Sequence, residues 1–261
     1  LYRHHNLLRT NVLGNVKTIA REVSIDPAML IHLNGYLNSK QAPDENFARE
    51  LQELFTIGKS NESRFTENDV IAAERVLTGW RVQTIPVGNF FDANAHDTGS
   101  KSFSSFYNNT TIPGGTGVQE LDALINMIFA TTEASKFIVR KIYKWFVYYD
   151  IDDATEVNVI APLASLLRSN NYDIKPILSA LFKSEHFFDK TNQSCYIKNP
   201  FDMIIGTLRE FGVNYPAYTD YTTGYPLFYQ LYRKAAEMQM RLFQPPDVSG
   251  WPSYYQEPMH Y

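Results

Sequence analysis

Residues 26–80 decide the fold class of this chain and read DPAMLIHLNGYLNSKQAPDENFARELQELFTIGKSNESRFTENDVIAAERVLTGW. Asp26 followed by Pro27 is typical of a helix start, with an N-cap and a proline at the first helical position. Thr66 and Asp69 approximate a capping box for another helix. Between such starts the apolar residues recur at helical spacing. These apolar residues are Phe47, Leu51, Leu54, Phe55, Val70, Ala73, Leu77 and Trp80. The stretch therefore predicts three helices that bury one face against a core.

The middle helix, predicted over residues 44–57, places polar side chains beside its apolar face. These side chains are Glu45, Asn46, Arg49, Glu50 and Glu53. Residues four apart on a helix can pair, so a solvated ladder of ion pairs explains the pattern. Carboxylates that border a buried face are desolvated instead, which raises their pKa and suits them to acid–base chemistry. Both interpretations stay open for Glu50 and Glu53.

Arg49 and Glu50 carry a specific structural prediction. We expect at least one of them to be buried and paired with a charge from another segment, namely Glu74, Arg75 or Asp97. Removing one partner of such a buried pair would cost about 3–5 kcal/mol.

The rest of the chain predicts a mainly α fold with one irregular insertion. Helical periodicity over residues 5–23 and again after residue 118 gives about eight to ten helices in a single multi-helical domain spanning 1–261. The insertion, residues 81–118, begins with a predicted small β-hairpin that pairs 81–84 with 89–92. So long a connection inside a compact domain is typical of a functional loop.

The insertion contains a polar cluster at His96, Asp97 and Lys101. A histidine beside an aspartate on a loop can act as a general base or ligate a metal. Alternatively, Asp97 opens a turn completed by Gly99, and His96 holds the loop to the helices. We expect this loop to pack against the helix at 44–57, anchored on charged side chains of that helix and of the helix at 66–80.

Three motif blocks resemble those of a bacterial family known only as domain of unknown function 1800. They are NFARELQELFTIG at 46–58, TGW at 78–80 followed by HDTGSK at 96–101, and PPDVSGWP at 245–252. The resemblance implies no established activity. It implies a longer parent protein, of which this chain is a fragment lacking an upstream histidine-containing segment, and a periplasmic or secreted location. It also implies sulfatase-like proteins of the cell envelope as partners.

Composition excludes some function classes and adds a candidate surface. A net charge of −4 argues against nucleic-acid binding, and no apolar run is long enough to span a bilayer. Tyr225, Tyr229 and Tyr232 share a predicted helical face, which indicates either a platform for glycan contact or half-buried packing.

Two functional hypotheses follow from these residues. In the first, the chain is an extracytoplasmic scaffold or partner-binding domain whose motif residues form a polar network. The residues expected in that network are Glu45, Asn46, Arg49, Arg75, Trp80, Lys101, Lys198 and Trp251. In the second, it is a hydrolase or metal-assisted enzyme with a composite site. The candidate catalytic residues of that site are Glu50, Glu53, His96 and Asp97. No cofactor motif is present, and a divalent metal would need ligands from these distant segments.

Overall fold

A computed structural model describes residues 1–59, 63–193, 195, 197–217, 219–246 and 250–251. The chain divides into two compact units. The first comprises Leu1–Tyr143 and Ile151–Phe187, and the second comprises Lys144–Asp150 and Phe188–Tyr261. The single domain expected from the sequence stays a prediction beside this division. All candidate catalytic residues lie in the first unit.

Helices dominate the described part of the chain, so the mainly α prediction is confirmed. The α-helices are α1 (Tyr2–Asn11), α2 (Val16–Ser24), α3 (Pro27–His32), α4 (Asn46–Glu50), α5 (Glu67–Val76), α6 (Gly117–Ala130), α7 (Thr132–Phe146), α8 (Asp153–Thr155), α9 (Ala161–Ser169), α10 (Ile174–Phe182), α11 (Pro200–Glu210) and α12 (Gly224–Glu237). Two π-helical segments, Leu51–Thr56 and Glu156–Ile160, continue α4 and precede α9. Short 3₁₀ turns occupy Ser105–Tyr107, His186–Phe188 and Lys190–Asn192.

The helix starts at residues 26 and 66 are the ones that the sequence predicts. The Asp26 carboxylate accepts from the backbone N–H groups of Ala28, at 3.0 Å, and Met29, at 3.2 Å. The backbone N–H of Thr66 donates to the Asp69 carboxylate at 2.7 Å, which is half of the predicted capping box. Each cap satisfies N–H groups that the first turn of a helix leaves without partners.

The helix predicted over 5–23 is wrong in its continuity, because α1 ends at Asn11 and α2 begins at Val16. Asn15 caps α2, and its side chain accepts from the N–H of Lys17 at 2.9 Å. The N–H of Val16 donates to Tyr172 O at 2.9 Å, so a long-range contact fixes the break. Local periodicity cannot reveal such a contact.

The insertion forms two small antiparallel sheets, and the predicted hairpin is confirmed. Strand β1 (Trp80–Thr84) pairs with β2 (Val87–Phe91), with Trp80 opposite Phe91. Strand β3 (Lys101–Ser102) pairs with β4 (Thr111–Ile112). His96 and Asp97 lie in the segment that connects the two sheets, and Lys101 is the first residue of β3.

The core of the first unit lies around α6, which packs on α2, on α5 and on the π-helical end of α4. Its inward face is fully buried and is formed by Leu121, Leu124, Ile125 and Ile128. Glu120 lies in the first turn of α6, next to this apolar face. A carboxylate in that position is desolvated and needs compensating partners, which the insertion supplies.

Candidate functional site

His96, Lys101 and Glu120 form a buried cluster, called here the buried triad. Their side chains are at most 2% exposed. His96 Nε2 lies 3.1 Å from Glu120 Oε1, and Lys101 Nζ donates to Glu120 Oε2 and to the carbonyl of Asp97. Buried charges are tolerated when they are paired and hydrogen-bonded, so the triad anchors the loop to α6.

The Asp97 carboxylate is held by Arg75 of α5, whereas the triad holds only its backbone carbonyl, through Lys101. Arg75 Nε donates to Asp97 Oδ2 at 2.7 Å, and Arg75 Nη2 donates to Oδ1 at 3.2 Å. The hydrogen bond from Arg75 holds the pKa of Asp97 below its usual value and raises the pKa of Arg75. Asp97 Oδ1 also accepts from Gly99 N at 2.7 Å, so the turn predicted from Asp97 to Gly99 is present.

The TGW and HDTGSK blocks meet through Gly79. Its φ of +90° lies in the left-handed region that favours glycine. A Cβ at this position would lie 2.8 Å from the carbonyl oxygen of Asp92 and 3.1 Å from Cβ of His96. Only a glycine lets the backbone after α5 approach the histidine so closely.

Arg49 lies on α4 and connects three carboxylates. Its guanidinium contacts Glu45 at 3.0 Å and Glu53 at 3.5 Å, and also donates to Glu67. The hydrogen bond with Glu67 raises the pKa of Arg49. Arg49 is half-buried and does pair with another segment, but the expected partners Glu74, Arg75 and Asp97 are wrong. Helix α5 begins at Glu67 and crosses beside α4, so its first-turn acid lies next to Arg49.

Glu50 and Glu53 lie where α4 becomes π-helical. Among the described residues, Glu50 Oε2 is buried without a hydrogen-bond partner. Desolvation, with the nearby charge of Glu53 as a smaller cause, raises the pKa of Glu50. Glu53 pairs instead with Lys59 and Arg49. π-Helical turns are rare overall, but those that occur are often found at functional sites. At this one the Glu50 carboxylate, which has an oxygen without a partner among the described residues, lies near the paired carboxylate of Glu53.

An open polar cleft of about 340 Å³ adjoins Glu53, and Glu50 is not among the residues that line it. It lies between the end of α4 and the start of α5, and Arg49 and Glu53 form one side. The lining residues are Arg49, Glu53, Gly58, Lys59, Ser63, Phe65, Thr66 and Glu67. Its charges are paired with one another across the opening.

The candidate catalytic residues occupy two networks. Glu50 and Glu53 are neighbours on α4 and its π-helical extension, whereas His96 and Asp97 bond to Glu120 and Arg75. Among the residues that the structure describes, no three histidine, cysteine, aspartate or glutamate side chains are arranged to hold a metal ion. The composite site would need all four residues to converge, but the side chains of His96 and Asp97 bond to Thr78, Glu120 and Arg75.

The loop contacts the helix at 44–57 through residues that the sequence does not single out. Tyr107 donates its hydroxyl to Gln52 on the π-helical segment. Ser104 N donates at 2.6 Å to Asp69, which lies on α5 and not on that helix. His96 and Lys101 contact Glu120 of α6 instead, so their predicted anchors on the helix at 44–57 are wrong. The only sequence signal for Glu120 is its position as an acid in a helix's first turn.

Asn38 is a buried residue that connects several segments through hydrogen bonds, and the sequence analysis does not predict this role. Its side chain donates to Glu74 O at 2.9 Å and accepts from Asp44 N at 3.2 Å. Its carbonyl accepts from Arg81 Nη1 at 2.9 Å and from Gly79 N at 3.1 Å. Asn38 therefore links α5, the start of the hairpin and the residues just before α4 to one another.

The remaining network candidates lie at separate places. Asn46 Nδ2 donates weakly to Leu33 O at 3.5 Å, and Trp80 is buried with its ring 5.3 Å from that of Phe91. In the second unit, Lys198 is exposed and Trp251 is half-buried. Residues 247–249 and 252 of the third motif block lie outside the described residues.

The tyrosines proposed for glycan contact lie on α12. Tyr225 and Tyr229 are exposed, and the ring of Tyr229 stacks on that of Tyr232 at 6.1 Å. Tyr218, which the sequence places in the same tyrosine-rich stretch, lies outside the described residues.

The fold and the buried triad define a class of mainly α proteins in which a polar network locks a long insertion onto the helices. Within it, the chain belongs to the family described as "protein of unknown function (DUF1800)", whose profile matches residues 1–259. No curated protein and no solved structure matches the chain. None of the described helices has the length and apolar character needed to cross a bilayer.

Proposed function

We propose that this chain is a non-catalytic scaffold that binds a partner protein in the cell envelope. The observation that carries the proposal is that the charged groups of the HDTGSK block are all used within the protein. Both carboxylate oxygens of Asp97 accept from Arg75, and Lys101 is buried against Glu120. A general base needs an atom within reach of a substrate proton, and these atoms are committed to structural contacts.

The locked insertion supports a surface suited to a protein partner. The hairpin is fixed at its base, where Asp92 N donates to Gly79 O at 2.8 Å and Arg81 bonds to Asn38. Its turn places apolar side chains in solvent, with Ile85 92% exposed and Val87 49% exposed. Exposed apolar residues on a rigid support are typical of interaction sites.

The partner class comes from the family resemblance, which favours a sulfatase-like envelope protein. The test measures the affinity of the purified chain for the sulfatase-like protein of the same bacterium by surface plasmon resonance. The double variant Ile85→Ser, Val87→Ser is expected to bind at least about tenfold more weakly than the wild type, because each substitution removes an apolar side chain from the proposed contact surface.

The control for this experiment is Val157→Ser, which replaces an exposed apolar residue elsewhere in the same unit. It should bind like the wild type. Equal affinity of the hairpin variant and the wild type, or no binding by the wild type, would overturn the proposal. Extracytoplasmic location and glycan contact by Tyr225, Tyr229 and Tyr232 remain proposals, supported by the resemblance and by the exposure of Tyr225 and Tyr229.

A second candidate function is acid–base hydrolysis at Glu50 and Glu53, favoured by the buried oxygen of Glu50 that has no hydrogen-bond partner in the part of the chain that the structure describes. A carboxyl group with a raised pKa can hold a proton for a leaving group, while a neighbouring ionised carboxylate activates water. Turnover of nitrophenyl esters, glycosides or sulfates by the wild type, lost in Glu50→Gln, would favour this candidate over the scaffold.

Glu50→Gln also has an expected effect on stability. Because desolvation raises the pKa of Glu50 in the folded state, wild-type stability falls as the pH rises through that raised value. The glutamine variant carries no charge, so it should be more stable than the wild type at neutral pH and equal to it in acid. The expected gain is up to about 1 kcal/mol, since the unsatisfied carboxylate is only partly buried. Urea unfolding at several pH values measures it.

Glu67→Gln is the matched control with the opposite sign. The hydrogen bond from Arg49 lowers the pKa of Glu67 in the folded state. The Glu67 carboxylate therefore stabilises the fold at pH values above the pKa that it has in the unfolded chain, and this contribution is lost as the pH falls through the lowered, folded-state pKa. The control variant should therefore be less stable than the wild type at neutral pH. A destabilised Glu50→Gln variant would show that the Glu50 carboxylate has a partner after all.

A further inference from the structure

Helix α1 lies beside the hairpin whose turn is proposed above as a contact for a partner. The Arg3 guanidinium donates to the carbonyl of Val87, in the hairpin, and fixes the start of α1 there. His4 Nδ1 lies 3.1 Å from Asp26 Oδ2, which fixes the same turn of α1 to the start of α3. The exposed side of α1 and the hairpin turn therefore belong to one surface of the first unit.

This surface is apolar beyond the hairpin turn. A helix that packs on a core ordinarily buries an apolar stripe, but α1 buries none of its ten residues. Tyr2 is 84% exposed, and Phe90 on the hairpin strand β2 is exposed too. Aromatic side chains are enriched at protein interfaces because they bring large contact areas, so α1 adds an aromatic contact to those of Ile85 and Val87.

The charge of the same surface is opposite in sign to the net charge of the chain, which is −4. Neither α1 nor the hairpin at 80–91 contains an acidic residue. Arg3 and Arg9 of α1 are both exposed. Asp26, which contacts His4, is only 6% exposed, and its carboxylate caps α3. The surface is therefore both apolar and basic.

We propose that α1 and the hairpin turn form one docking surface, and that the partner protein meets it with an apolar patch flanked by aspartate and glutamate side chains. This inference rests on the proposed function, because it adds the chemistry of the partner to a contact already assigned to the hairpin. The apolar side chains hold the complex together, and the arginines attract the partner's carboxylates. The residues that carry the docking surface are Tyr2, Arg3, Arg9, Ile85, Val87 and Phe90.

Charge complementarity favours an acidic protein over a second copy of this chain. Two copies that met symmetrically through this surface would bring Arg3 and Arg9 of one copy near the same cations of the other. Like charges that face each other oppose binding, and neither α1 nor the hairpin has an acid to offset them. Recognition of anionic lipid ordinarily takes a cluster of about four to eight Lys or Arg residues, whereas α1 offers two exposed arginines.

Association and dissociation rates separate the charged part of the surface from its apolar part. In surface plasmon resonance on the immobilised sulfatase-like protein of the same bacterium, Arg9→Glu should lower the association rate constant about fivefold at about 20 mM salt, because exposed charges act mainly on the encounter. The difference should shrink at about 500 mM salt, which screens the charges. Tyr2→Ser should instead raise the dissociation rate constant about fivefold, because it removes an aromatic contact.

Arg209→Glu is the matched control, since it makes the same change of charge at an exposed position on α11. It should keep the wild-type rate constants. A wild-type association rate for Arg9→Glu, or a wild-type dissociation rate for Tyr2→Ser, would overturn this inference alone if Ile85→Ser, Val87→Ser still binds more weakly. Absence of wild-type binding, or wild-type affinity of that double variant, would overturn the proposed function and this inference together.

Cosedimentation with vesicles of phosphatidylglycerol and phosphatidylcholine tests the other occupant of a basic, apolar surface. The wild-type chain should remain in the supernatant. Sedimentation of the wild type with these vesicles, reduced in Arg9→Glu and kept in Arg209→Glu, would assign the surface to anionic lipid and overturn the inference of an acidic protein partner.

Discussion

Replacing Lys101 with methionine is expected to lower the free energy of unfolding by about 3–5 kcal/mol, because it leaves a buried carboxylate without its cation. Lys101 is fully buried, and its ammonium group bonds to Glu120 and to the carbonyl of Asp97. Methionine keeps most of the side-chain volume, so the loss reports the charge and its hydrogen bonds. Urea unfolding at neutral pH measures it.

Lys40→Met is the matched control for this experiment. The Lys40 side chain is exposed, although its backbone N–H donates to Ala95 O at 2.9 Å beside the same loop. The control should change stability by no more than about 0.5 kcal/mol. A Lys101→Met variant as stable as the control would contradict the role of the triad as a buried anchor. Adding Glu120→Gln to Lys101→Met should recover part of the loss, since the carboxylate is no longer stranded.

The sequence predicts the elements of this fold better than their long-range partners. Asp26, Thr66 and Asp69 cap helices because capping depends on residues three positions apart or fewer. The pairing of Arg75 with Asp97 agrees with the expectation that the loop is anchored on the helix at 66–80. The helix caps and the Arg75–Asp97 pair could both be expected, because each residue involved has a recognisable position in its own segment.

The candidate site was less predictable because its decisive partner lies outside the motif blocks that the sequence singles out. Glu120 belongs to an ordinary helix start, and only the tertiary fold brings it beside His96 and Lys101. The partner of Arg49 depends on where α5 begins. Because α5 begins at Glu67, the carboxylate of Glu67, and not that of Glu74, lies beside Arg49. The π-helical turn at 51–56 has the same apolar spacing as an α-helix, so periodicity cannot distinguish the two.

The two ends of the insertion also contact each other through their backbones. In the sequence these contacts are visible only as small residues such as Gly114. Gly114 follows β4, and a Cβ on it would lie 1.8 Å from the carbonyl oxygen of Thr98 and 2.7 Å from its carbonyl carbon. Both obstructing atoms belong to the backbone, so no side-chain rotation can relieve the overlap. The approach brings the end of the insertion against the turn that follows Asp97.

Gly114→Ala is therefore expected to destabilise the chain by about 3 kcal/mol, because the loop must move to admit one methyl group. Gly115→Ala is the control, since its Cβ would approach nothing closer than Gln119 Oε1 at 3.4 Å. An alanine there should be neutral or should stabilise by up to about 1 kcal/mol through the unfolded chain. Thermal and urea unfolding compare the two variants, and hydrogen exchange should locate the loss of protection in 93–117. Equal stability of the two variants would mean that the loop does not close on Thr98, and the anchoring of His96 and Asp97 would then rest on side chains alone.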